Sequence, residues 1–222
     1  MGLDVYFQAI PNNQEILELA QTDDDWLDIL ASPFSTFQST RLRNSLLKIP
    51  EQQEKLEKFD SMFVRFLRTF ALCTLWGRKW DVLAYLLIEK RRNCRQVDEK
   101  YNFYKIEDMS VFDDRDRLLY RAMFGGDLMR QTKAVGSRNG QTEIPRYISS
   151  DEVSAIVGIL YQISFDDLLE HYSDVAMDKA ILYKFHPYQD SNKDSIIEAF
   201  VLLRDFYANV SSYNAGLLWK MI

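Results

Sequence analysis

The chain has 222 residues, with 33 Asp and Glu against 27 Lys and Arg and a formal net charge of −6. Apolar residues make up 47% and charged residues 27%, ordinary globular proportions that exclude a disordered chain, a collagen-like fibre and a disulfide scaffold. A chain of 26.2 kDa buries about 70% of its unfolded surface, enough for one core without covalent staples, and an acidic balance disfavours nucleic acid as a partner.

The opening segment alternates Leu3, Val5, Phe7 and Ala9 with Asp4, Tyr6 and Gln8, the period of two that predicts a strand, ended by Pro11, Asn12 and Asn13. Short helices are predicted near 13–21 and 24–31. A longer helix is predicted after Pro50, with Leu56, Phe59, Phe63, Phe66, Phe70 and Cys73 on one face and Gly77 as its break. Trp80, Leu83, Leu86 and Leu87 start the next helix, whose other faces hold Ala84, Tyr85 and Ile88. Apolar nearly all round until Lys90, Arg91 and Arg92, it reads as a core helix.

Tyr101–Ile106 is a candidate strand, 113–124 a helix closed by Gly125 and Gly126, and Gln131–Gln141 a surface loop. Glu143–Ile148 is another candidate strand, in which Pro145 requires an edge or a strand start. Ser149 with Glu152 three residues on forms a capping box, opening a helix that carries Val153, Ile156, Val157 and Leu160. A short helix at 164–171 follows, then a long one with Ile196, Phe200, Leu203, Tyr207 and Val210 on one stripe. Asn214, Ala215 and Gly216 break it before a closing strand at Leu217–Ile222. The expected class is α+β: a small mixed or antiparallel sheet that includes both chain termini, covered by several helices. One domain is expected over 1–222, with an extended helical region at about 12–75.

Cys73 and Cys94 are the only thiols, in segments that read as helical and without metal-site or redox spacing, so a reduced cytoplasmic protein is expected. The start MGLDVYFQAI lacks a basic region followed by a long apolar one, and Tyr6 stands where a myristoylation signal requires Ser or Thr; neither signal is expected. The longest apolar run, Val82–Ile88, is far shorter than the roughly 20 residues of a spanning helix, so no membrane association is expected.

Proton transfer near neutral pH most often uses histidine, and the chain has two. His171 falls at a predicted helix end, where a cation complements the dipole. His186 precedes Pro187 within Tyr183–Tyr188, an aromatic connection able to line a pocket. The acidic runs Asp23–Asp25 and Asp113–Asp114 precede helices, where they complement the N-terminal dipole, and Asp113, Asp114 and Asp116 lack the pattern of a calcium loop. No GxxxxGK[ST], GxGxxG or GxSxG string occurs, and Gly125 with Gly126 reads first as a helix stop. Lys90, Arg91, Arg92 and Arg95 are expected at a solvated helix end, with a patch for a phosphate or an acidic partner as the functional alternative. No metal and no cofactor are expected.

The opening MGLDVYFQAI, the helix WDVLAYLL at 80–87, Gly125 with Gly126, Pro145–Ser149 with Glu152 and Val153, and Phe200–Tyr207 before a final strand together resemble the YfbM-like family of bacterial domains. The resemblance spans nearly the whole chain and implies a compact α+β domain of unknown function, with no catalytic residues to carry over. The family pattern implies a histidine where this chain has Ala84, and an Asp-Lys pair where it has Gly77 and Arg78. An activity resting on that histidine would be missing here.

The leading expectation is a non-catalytic binding module of bacterial origin, immunity-type or stress-related, that engages another protein. Trp80, Asp81, Arg146 and Tyr147 are the candidate contacts, being the polar or aromatic members of the matching motifs, with His186 as a further binding candidate. Their competing structural role is a tryptophan buried against the sheet and an arginine satisfying backbone carbonyls or Asp81. The alternative function is a hydrolase or small-ligand enzyme with a pocket near Tyr183, His186 and Tyr188.

Overall fold

The computed structural model describes residues 5–31, 44, 47–67, 72–75, 79–93, 108–129, 145–180, 182 and 192–221. Its centre is a five-stranded sheet made of β1 (Val5–Ile10), β2 (Leu72–Leu75), β3 (Asp127–Leu128), β4 (Arg146–Ile148) and β5 (Gly216–Met221), in the order β2-β1-β5-β4-β3. Every pairing is antiparallel. The two ends of the chain lie side by side in the middle, Phe7 opposite Trp219 and Gln8 opposite Leu218, so the α+β expectation holds.

Helices cover both faces. Val5, Phe7, Ala9, Ile148, Leu217 and Trp219 join the larger core, beneath α4 (Lys79–Leu87), α6 (Asp114–Phe124), α7 (Ser150–Gln162) and α10 (Lys193–Ser212). Ile10 and Leu218 point the other way, into a smaller core with Leu17 and Ala20 of α1 (Gln14–Thr22), Trp26 and Leu30 of α2 (Asp24–Ala31) and Leu56 of α3 (Pro50–Leu67). This two-sided burial follows from the strand period of two. Gln8 faces the smaller core and donates to Leu30 O at 2.7 Å, and Trp26 Nε1 donates to Gln52 Oε1 at 2.9 Å, tying α2 to the sheet and to α3.

Further short helices among the described residues are α5 (Glu89–Arg92), α8 (Phe165–Leu169), α9 (Asp174–Lys179) and a 3-10 turn at Met109–Val111. Helix ends follow the sequence closely. Asp23 Oδ1 accepts the Asp25 and Trp26 N–H groups, Asp113 accepts Asp116 N–H, and the Ser149–Glu152 capping box is complete. Asn214 ends α10 at φ 50°, the left-handed conformation that asparagine tolerates better than most residues.

Three expectations change. The helix after Pro50 was expected to carry Cys73 and break at Gly77; α3 instead ends at Leu67, and Cys73 lies in β2, opposite Phe7. The core helix breaks at extended Ile88, and α5 starts afresh from it. Of Glu143–Ile148 only Arg146–Ile148 is strand among the described residues, paired with a two-residue β3 that has no sequence precursor in the expectations. The candidate strand Tyr101–Ile106, the loop Gln131–Gln141, Cys94 and Arg95 lie outside the described residues. No described helix is long and apolar enough to cross a membrane.

Candidate functional site

The motif at 80–87 supplies one half of a fully buried ion pair. Asp81, in the first turn of α4, accepts from Arg91 of α5: Nε to Oδ1 at 3.0 Å and Nη2 to Oδ2 at 3.1 Å, with both side chains 0% exposed. Arg91 therefore departs from the solvated helix end expected of the basic run. Arg92 also turns inward, donating to Leu86 O at 2.8 Å, and Asp116 Oδ2 accepts Glu89 N–H at 3.1 Å, capping α5 from another helix because Ile88 has no side chain able to do so. Burial, and then Asp113, push the Asp116 carboxyl above its ordinary pKa despite the N–H groups of Lys90 and Glu89. Trp80 is buried edge-on against Phe124, ring centroids 6.1 Å apart. Trp80 and Asp81 thus have no exposed side chain to offer a partner, and Asp81 is paired with Arg91.

The second centre is the Gly125–Gly126 corner between α6 and β3. The last carbonyls of α6 lack helical donors, and Tyr207 Oη supplies Ala122 O at 3.0 Å while Trp219 Nε1 supplies Met123 O at 2.8 Å. Gly125 has φ 78°, and a Cβ there would lie 2.6 Å from Arg146 Cβ; a Cβ on Gly126 would collide with Tyr147 O. Arg121 spans the corner, reaching Asp127 Oδ1 at 3.1 Å and Glu152 Oε1 at 2.7 Å. Burial opposes its charge, but the hydrogen bond to Asp127 and the fields of Glu152 and Asp127 outweigh it and hold the guanidinium above its ordinary pKa. Glu152 is also the capping-box acid of α7, so one carboxylate joins a helix start to a helix end.

Arg146 and Tyr147 project to opposite faces of β4. Arg146, opposite Trp219, reaches Gly126 O at 3.5 Å. Tyr147 packs against the smaller core, where burial, then Glu152 and Asp151, raise its pKa. The four motif residues do not assemble into one surface. His186, Tyr183 and Tyr188 lie outside the described residues; His171 is half-buried just beyond α8, 3.9 Å from Glu170.

The exposed features concentrate elsewhere. Residues 150–213 hold eleven acidic and four basic side chains, a local charge of −7, leaving the rest of the chain at +1. The same segment carries Tyr161, Phe165, Val175, Leu202 and Tyr213, five of the nine exposed large apolar side chains among the described residues. On α10 the outward stripe is Asp194, Glu198, Leu202 and Asp205, at helical spacing. Beside it α7 packs antiparallel, Ser154 Oγ lying 3.0 Å from Ser211 Oγ, and presents Tyr161; α8 adds Phe165 and Asp166. Arg204 joins the three helices, its Cζ 5.1 Å from the Tyr161 ring centroid and 5.9 Å from those of Phe165 and Phe200. Counting charge by segment would have found this face from the sequence; the total of −6 conceals it. By contrast the groove between α1 and α3, lined by Glu15, Glu51, Glu54, Lys55 and Lys58, pairs its charges internally, Lys58 Nζ lying 2.7 Å from Glu15.

A family model described as a domain of unknown function (DUF1877) matches residues 1–219. Among solved structures the chain is similar to a protein of unknown function, YfbM from Escherichia coli, at TM-score 0.52 and 13% identity, covering 99% of each chain. No curated protein sequence matches it. The chain shares its overall fold with YfbM and belongs to the YfbM-like DUF1877 family.

Proposed function

We propose that this chain is a protein-binding module whose outer face of α7, α8 and α10 captures a basic protein. One observation carries the reading: the segment 150–213, at a charge of −7, also carries five of the nine exposed large apolar side chains among the described residues. Apolar anchors ringed by charge of one sign suit a partner of opposite sign, because the charge steers encounter and the anchors set the lifetime of the complex. Arg121 serves this face indirectly, holding the start of α7 through Glu152 while it pairs with Asp127 of β3.

An immunity-type role, with a basic toxin as the partner, is the form of this reading that the identity of adjacent genes tests. The reading itself is tested by affinity capture from native lysate with the wild type and with the double variant Glu198→Lys, Asp205→Lys. Basic proteins retained by the wild type, released by added salt and absent from the variant's eluate are the expected result. Equal capture by both proteins contradicts it.

A further inference from the structure

The Arg204 side chain has an unusual setting for a surface arginine. It is 22% exposed, and its one ion pair among the described residues is with its neighbour Asp205, at 3.4 Å from Nε. What surrounds the guanidinium is aromatic: Tyr161 from the end of α7, Phe165 from the start of α8 and Phe200 one turn back on α10. All three centroids lie within the roughly 6 Å over which a ring face attracts a cation. Tyr161 is 57% exposed and Phe165 42%, while Phe200 is fully buried, so the three rings make a cage closed on the protein side and open to solvent. Asp205, 3.4 Å from Arg204 Nε, adds negative charge beside the rings.

We infer that this cage is a cation-binding site held in cis by Arg204, and that in the complex it receives an arginine or lysine side chain of the basic partner. The inference rests on the basic-partner reading and adds the anchor. The rings supply attraction that does not depend on the direction of a hydrogen bond, so they accept a guanidinium, an ammonium or a quaternary ammonium alike. Arg204 is tethered to the site and competes at high effective concentration, which keeps small free cations out. A partner presenting a cation together with further contacts to Glu198, Leu202 and Asp205 overcomes that competition; a lone cation does not. The local device therefore selects a cationic protein surface over dissolved cations.

The test compares wild type, Arg204→Ala and Arg204→Gln, each titrated with tetramethylammonium and with N-acetyl-arginine amide, following the Tyr161 and Phe165 ring resonances. Arg204→Gln retains the length of the side chain in case alanine loosens the helix junction. Both variants are expected to bind each probe at least about tenfold more tightly than the wild type, and Tyr161→Ala added to either is expected to abolish the gain. Equal response of wild type and both variants overturns the cage. A lysine- and leucine-rich model peptide separates the two proposals. If it binds the wild type in a salt-sensitive way while Arg204 variants gain no cation affinity, the acidic-face reading stands and the cage falls. If the variants gain cation affinity while the wild type ignores the peptide, the acidic-face reading falls, and with it the cage's role in partner binding.

Discussion

Arg91 reaches both carboxylate oxygens of Asp81 across the break at Ile88, and neither side chain is exposed to solvent. The pair fixes α5 to the start of α4. Removing one partner leaves a charge buried without its counterion, so Asp81→Ala is expected to cost about 3–5 kcal/mol. Replacing both, with Asp81→Leu and Arg91→Met, removes that penalty, and the double variant is expected to be more stable than Asp81→Ala alone. Urea unfolding of the three proteins checks the order.

The Gly125–Gly126 corner predicts two unequal glycine effects. Gly125→Ala meets a left-handed φ and the Arg146 Cβ, and a loss of about 1–2 kcal/mol is expected. Gly126→Ala meets the Tyr147 carbonyl, part of the backbone, and is expected to lose more because β4 itself has to shift. Thermal unfolding of the two variants measures the difference.

The carbonyls at the end of α6 predict a smaller effect. Tyr207→Phe keeps the ring against Phe7, centroids 6.1 Å apart, and deletes only the bond to Ala122 O. About 1 kcal/mol of stability is expected to go, with the fold unchanged by circular dichroism.

Asp116 predicts a pH dependence of defined sign. Its folded pKa is raised, chiefly by burial, so the folded chain holds this proton more tightly than the unfolded chain. The stabilisation is fully present below the unfolded value of about 3.9 and declines as pH rises from there through the folded value. Asp116→Asn, which retains an oxygen acceptor for Glu89 N–H, is expected to lack this decline, so its urea midpoint gains on the wild type as pH rises through the window. A variant midpoint that falls relative to the wild type as pH rises contradicts the assignment.

Sequence periodicity and end signals revealed the elements whose causes are local. The Ser149–Glu152 capping box, the break at Asn214–Gly216 and the Gly125 stop each depend on residues a few positions apart. β2 was hidden because Cys73 continues the apolar spacing of α3, and a run as short as Leu72–Leu75 suits a strand and a helix face equally. β3 is too short to carry any period. The Asp81–Arg91 pair was not legible because its ten-residue spacing crosses a helix break, so no helical rule relates the two side chains. The candidate face was obscured differently: acids of its helices also serve capping boxes, the Asp167 carboxylate accepting from Ser164 N–H and that of Glu152 from Ser149 N–H, and each therefore had a sufficient local explanation.

The outer face of α7, α8 and α10 is the surface proposed to meet a basic protein. The most direct measurement is an amide chemical-shift map of the labelled chain titrated at low salt with a lysine- and leucine-rich amphipathic peptide. Perturbations are expected to cluster at Tyr161, Phe165, Glu198, Leu202, Arg204 and Asp205, and to be lost on adding salt. Perturbations centred instead on α1 and α3, or spread evenly over the surface, contradict it.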